Sequence, residues 1–150
     1  MELEIPQSIR IEHEELHEEL ARALKSGGRT EEAARAVMRI LQPHMSREER
    51  FVAPALALLG PVAAGRFTDD MVPLVPRIAA LKEELPRMIA EHGLMVEALR
   101  DLMQVAIEEK QPSFARLAQK LITHAQEEEE ILYPAAVLVG ESLVARFGKP

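Results

Sequence analysis

Apolar side chains recur every three or four residues over most of this chain, the spacing that lines one face of a helix. Ile9, Leu16, Leu20 and Leu24 form a first stripe, predicting a helix from about Gln7 to Lys25 that Ser26-Gly27-Gly28 stops. Thr30, followed by Glu31, Glu32 and Ala33, reads as the capped start of a second helix, whose stripe runs through Val37, Leu41, Phe51, Val52 and Ala55 to Gly60. Pro43 and Pro54 each remove a backbone donor inside it, which predicts a bend or a division into two pieces. The stretch from Pro61 to Pro76 is the expected irregular connection. A third helix is predicted from about Arg77 to Lys110, with a kink at Pro86 and with Met88, Ile89, Met95, Val96, Leu99 and Leu102 facing inward. A fourth starts near Pro112 or Ser113 and carries Leu117, Leu121, Ile131, Leu132 and Ala135 toward Gly140, with a short helix or tail after it. The expected fold is all-α: an up-down antiparallel four-helix bundle of two helical hairpins, about 7–60 and 77–140, in a single domain spanning 1–150.

Polar residues interrupt each of these apolar faces. All five histidines of the chain, His13, His17, His44, His92 and His124, fall on inward stripes. Two segments, HMSREERFVAPALALLG from His44 and HAQEEEEILYPAAVLVG from His124, match in register 80 positions apart, with seven identities in seventeen residues. Histidine followed four places later by glutamate puts an imidazole and a carboxylate on one helix face about a turn apart, so each copy can offer a nitrogen and an oxygen to a metal ion. The run Glu127 to Glu130 offers several carboxylates near His124, and the first copy chooses among them. Its residue three after histidine is Arg47, which leaves the four-residue spacing to Glu48 and Glu128 or the five-residue one to Glu49 and Glu129; the former is preferred. Burying such carboxylates without a cation would be strongly unfavourable.

His17 has no counterpart in the second half, where Val96 stands 79 positions on. Lying one turn from His13, it is expected to supply a third nitrogen to the ion held by His13 and His44. Tyr133 reads as a packing residue, and Met45, Met88, Met95 and Met103 as fillers of core space.

Composition narrows the chemistry. With no cysteine, disulfides, thiolate zinc sites and cysteine-held iron–sulfur clusters are excluded, and His, Asp and Glu suit Fe, Mn or Zn. A formal charge of −7 with no clustered Lys or Arg argues against nucleic acid. The start at Met1 does not read as a secretory leader and no apolar run approaches the length of a membrane span, so the expectation is a cytoplasmic protein without a membrane partner.

The order His13, H-x3-E at His44, His92, H-x3-E at His124, then Tyr133-Pro134, resembles the hemerythrin-like HHE cation-binding family over nearly the whole chain. That resemblance implies a bundle around a di-iron centre: two Fe ions bridged by an oxo or hydroxo group and by Glu48 and Glu128, with His13, His44, His92 and His124 as terminal ligands. Mn or Zn is also compatible with these groups. The chain departs from the oxygen-carrying hemerythrins, whose third helix bears H-x3-H, because Val96 occupies that position and the pair His13/His17 lies on the first helix. An open position is therefore expected on the ion held by His92 and His124. The expected function is the binding of a small oxidant or gas, dioxygen, peroxide or nitric oxide, at open iron, for binding, sensing or detoxification. The alternatives are iron handling (sensing, delivery or repair of metal centres) and a di-iron oxidase or peroxidase.

Overall fold

A computed structural model describes residues 2–149, and among them every regular element is helical. Helix α1 (Gln7–Ala23) ends where the Ser26 hydroxyl donates to the Ala23 carbonyl at 2.7 Å and Gly27 takes φ 78°. Helix α2 (Gly28–Arg47) begins two residues ahead of Thr30, which is buried in its first turn. Thr30 is thus not its own helix's cap. Its N–H and hydroxyl both donate, at 2.6 Å, to Glu109 Oε1 at the far end of the second hairpin's long helix. A carboxylate from another segment satisfies the donors that a local cap would otherwise take.

The prolines act unequally. Pro43 lies within α2 without dividing it. Before Pro54 the chain widens into a π turn, Glu48–Val52, and resumes as α3 (Ala53–Ala63). The second copy repeats this: α6 (Pro112–Glu127), a π turn at Glu128–Leu132, then α7 (Tyr133–Phe147) with Pro134 at its second position. Each wide turn closes with an i+5 bond, Ala53 N–H to the Glu48 carbonyl and Tyr133 N–H to the Glu128 carbonyl. Proline lacks the N–H that a regular turn would use there, and the extra residue accommodates the loss.

The connection after the first repeat is more ordered than expected. Helix α3 runs to Ala63, a 3-10 turn covers Asp69–Leu74, and the third helix is split at Ala80 into α4 (Val75–Ala79) and α5 (Leu81–Glu108), which passes through Pro86 unbroken. Ile89 is 46% exposed and Ile131 62% exposed, against the inward positions expected for them. Ile89 sits one residue round from the stripe Leu81, Met88, His92, Met95 and Leu99. Ile131 would share the Glu128 face in a regular helix, and the π turn carries it outward.

The elements pack as a helical bundle, with α2 on α5 and α5 on α6 the closest pairs, α3 and α4 against α7, and α1 resting on α6 and α2. No described helix is long and apolar enough to cross a membrane. The core is in two pieces. One gathers Leu16, Leu20, Val37, Leu99 and Leu117; the other gathers Val52, Leu58, Ile78, Met88 and Tyr133. His44 falls between Val37 and Val52, His92 between Met88 and Met95, and Glu128 between Leu121 and Tyr133, so a polar layer separates two apolar ones.

The matched glycines of the repeat differ in their surroundings. A Cβ on Gly140 would lie 3.2 Å from Ile78 Cγ2 and 3.3 Å from the Ile78 carbonyl, whereas one on Gly60 meets nothing within 4 Å. Gly60→Ala is therefore expected to stabilise the protein by about 0.5–1 kcal/mol through the helix preference of alanine. Gly140→Ala should show none of that gain in the same denaturant titration, because α4 would have to shift off α7.

Candidate metal centre

Every group of the candidate site sits where a helix changes form or at mid-helix in the bundle. His44 and His124 close the last turns of α2 and α6, Glu48 and Glu128 open the two π turns, and His13 and His92 lie within α1 and α5. Ligand atoms of His44, Glu48, His92 and Glu128 all lie within 4.8 Å of one another, and so do those of His13, His124 and Glu128. Glu128 belongs to both groups: its Oε1 is 3.3 Å from His92 Nε2 and 3.5 Å from His124 Nε2. Glu48 Oε1 is 2.6 Å from His44 Nε2, and His13 Nε2 is 3.2 Å from His124 Nε2. Of the two spacings weighed from sequence, the four-residue one brings its glutamates inside.

The histidines pair across the hairpins. His44 meets His92 with ring centroids 4.5 Å apart, and His13 meets His124 at 4.9 Å. The sequence-based pairing of His13 with His44 and of His92 with His124 is corrected accordingly: α2 packs most closely on α5, and α1 rests more on α6 than on α2. His17 is exposed and lies outside both groups, although it lines the cavity beside them. Because α1 sits at the edge of the bundle, the residue a turn beyond His13 faces the opening instead of the polar layer.

Three further carboxylates orient the imidazoles: Glu12 and Glu91, which the sequence analysis does not single out, and Glu129, which it weighs as a ligand. Nδ1 of His44 donates to Glu91 at 3.2 Å, Nδ1 of His92 to Glu129 at 3.0 Å and Nδ1 of His124 to Glu12 at 2.6 Å. Arg47 holds Glu91 in turn, at 3.0 Å. With Nδ1 held by a carboxylate, Nε2 is the nitrogen that each ring directs inward, the orientation that metal-binding histidines adopt. The dipeptides Glu12-His13 and Glu91-His92 carried this information: in each, the glutamate serves the histidine of a neighbouring helix.

Tyr133 was read as packing, and it is 1% exposed and stacked on His92 with centroids 5.5 Å apart. Its hydroxyl, however, enters the polar layer, 3.1 Å from His44 Nε2 and 3.1 Å from His92 Nε2, and donates to Glu48 Oε1 at 2.9 Å. The tyrosine follows Glu128 by five residues, which would turn it away on a regular helix. The i+5 turn brings it onto the glutamate's face.

Burial dominates the electrostatics. It lifts the Glu48 carboxyl to about 7, helped by the Glu128 charge and resisted by the His44 hydrogen bond. Burial pushes Glu128 up as well, but hydrogen bonds with His124, His92 and Glu48 hold it well below the usual carboxylate range. Without a cation, the two acids thus titrate far apart, Glu48 giving up its proton well after Glu128. His124 is raised to about 9, because bonds to Glu128 and Glu12 outweigh its burial. His13 is lowered by burial and by the neighbouring His124. Burial and the charges of Glu48 and Glu128 raise the Tyr133 phenol.

The donor set fits a metal cation. Ligands held about 2.1 Å from one ion at right angles lie about 3 Å apart, the separation found here among imidazole nitrogens and carboxylate oxygens. A positive ion also compensates two acids buried together. The family model for the Hemerythrin HHE cation binding domain matches residues 5–136. The chain belongs to this family. No curated protein and no solved structure matches it. Cation binding is the property this HHE domain carries from its family, and the His/Glu groups of the bundle are where the described residues could hold the metal.

Two outcomes follow. In melting curves with and without chelator, the HHE domain and its His17→Ala variant should lose the same stability on metal removal, whereas His44→Ala and Glu128→Gln should show little or no shift. The chelated protein should also be less stable at about pH 9 than at about pH 6. The His124 contribution is full below its unfolded value of 6.5 and is lost as pH rises through about 9, and ionising Glu48 between its ordinary 4.5 and about 7 removes stability in the same direction. A denaturation series across that range checks this, and His124→Gln should flatten the slope.

Proposed function

We propose that this HHE domain holds two iron ions in the polar layer and binds a small oxidant or gas, dioxygen, peroxide or nitric oxide, at the ion on the His13–His124 side. One observation carries the choice of side. A cavity of about 450 Å³, walled largely by apolar side chains including Leu16, Leu20, Leu41, Met95 and Leu121, reaches His13, His124, Glu48 and Glu128. His44 and His92, by contrast, are 1% and 2% exposed. In this reading the inner group, His44, His92, Glu48 and Glu128, fixes one ion, Glu128 spans to the second, and the outer ion faces the cavity.

Reduced iron would supply the electron density that such ligands accept. The protein's part is to admit and shield. Apolar walls favour a neutral small molecule over water and confine the polar groups to the cavity floor. Glu12 holds His124 by Nδ1 so that Nε2 faces the ion, and Glu48 and Glu128 supply the negative charge that keeps two cations together. A cytoplasmic setting, with neither nucleic acid nor membrane as partner, belongs to the same reading.

The size of the cavity favours one alternative. A diatomic molecule needs far less than 450 Å³, and that volume falls within the range of pockets for small organic molecules, which suits a di-iron oxidase. Turnover of an added apolar reductant would separate this from reversible binding.

Anaerobic loading with ferrous iron, followed by dioxygen or nitric oxide, is expected to produce a new visible absorption band. Leu41→Trp, which narrows the cavity without touching a His or Glu of the site, should slow its appearance several-fold at unchanged iron content. A colourless, unreactive iron-loaded protein would contradict the proposal.

A further inference from the structure

The phenol of Tyr133 is surrounded by groups that all have other business once a cation is present. Its hydroxyl has three polar neighbours within hydrogen-bond distance: His44 Nε2, His92 Nε2 and Glu48 Oε1. It carries one proton, already donated to Glu48. Both imidazoles have Nδ1 engaged by carboxylates, so Nε2 is the nitrogen each turns toward the phenol. Two ring nitrogens, a carboxylate oxygen and the phenol oxygen therefore converge on one small buried volume. When a cation takes up the Nε2 and Glu48 lone pairs, the phenol loses every partner it has in a buried site, unless its own oxygen joins the same ion.

We propose that Tyr133 ligates the inner ion through its phenolate oxygen, alongside His44, His92 and Glu48. Its separations of 3.1, 3.1 and 2.9 Å from those three atoms are those of adjacent ligands around one centre. The backbone is built for it, since the π turn ending in the Tyr133 N–H bond to the Glu128 carbonyl is what faces the ring inward. On binding, the O–H bond breaks, its proton leaves to solvent, and the oxygen's electron pair forms the bond to the cation. An adjacent cation favours the deprotonated form of a ligand.

The repeat supplies a second, independent observation. The residue matching Tyr133 in the first copy, 80 positions earlier, is Ala53, and Ala53 lines the cavity with His13 and His124. Where one half of the bundle has a phenol, the other has open space. Tyrosine thus closes the inner ion against added ligands, and alanine leaves the outer one accessible.

This inference rests on the iron-binding reading above, and its test separates the two. Tyr133 is the chain's single tyrosine, so ring-deuterated tyrosine labels one residue without any substitution. The ferric protein at two irons per chain is expected to show a phenolate-to-iron charge-transfer band in the visible. Raman excitation within that band should enhance tyrosine ring modes that shift on deuteration. Tyr133→Phe should lose the band and those modes while keeping iron in the His/Glu groups. Iron bound in full with no deuterium-sensitive modes overturns the tyrosine ligand alone. No iron bound at all overturns it together with the metal centre.

Discussion

Two carboxylates and four imidazoles lie between the two halves of the apolar core, and the rest of the molecule is arranged around compensating them. Burial and mutual repulsion set the titrations of Glu48 and Glu128 far apart, one lifted to about 7 and the other held by hydrogen bonds well below the usual carboxylate range. That is a strained settlement for a helical bundle, in which apolar side chains of similar size would pack the same space at less cost. The carboxylates that aim His44, His92 and His124 through Nδ1 add more negative charge around the same layer. Such an arrangement makes physical sense as the apo half of a cation site, in which the missing positive charge is supplied by metal.

Duplication and asymmetry work together here. Both copies use the same device, a histidine at the end of an α-helix and a glutamate opening a π turn that a proline follows. Yet the copies have diverged at the residue that closes the turn, Tyr133 in one and Ala53 in the other. In the proposed centre the phenol stands on one side and the cavity borders the other. Helix α1 contributes to the same difference, because the cavity opens along it.

Much of this was legible in the sequence, for identifiable reasons. The i, i+4 spacing of His44 with Glu48 and of His124 with Glu128 survives translation into space because those residues lie at the regular ends of helices, just before the geometry changes. Three to five residues further on it no longer does: Ile131 goes outward and Tyr133 comes inward, because 3.6 residues per turn is the wrong period across a π turn. The pairing of the histidines was hidden for a different reason. Repeats announce which residues are equivalent, and packing between hairpins decides which of them meet. His17 shows the limit of face-sharing arguments, since it follows His13 by one turn on a helix whose stripe is only partly covered.

The account stands or falls on how many ions the bundle holds. Elemental analysis of the folded, desalted protein after anaerobic ferrous loading gives that count directly. Two irons per chain, lost together with a fall in melting temperature on chelation, is the result predicted. An iron content near zero, with a melting temperature that chelator leaves unchanged, would contradict it.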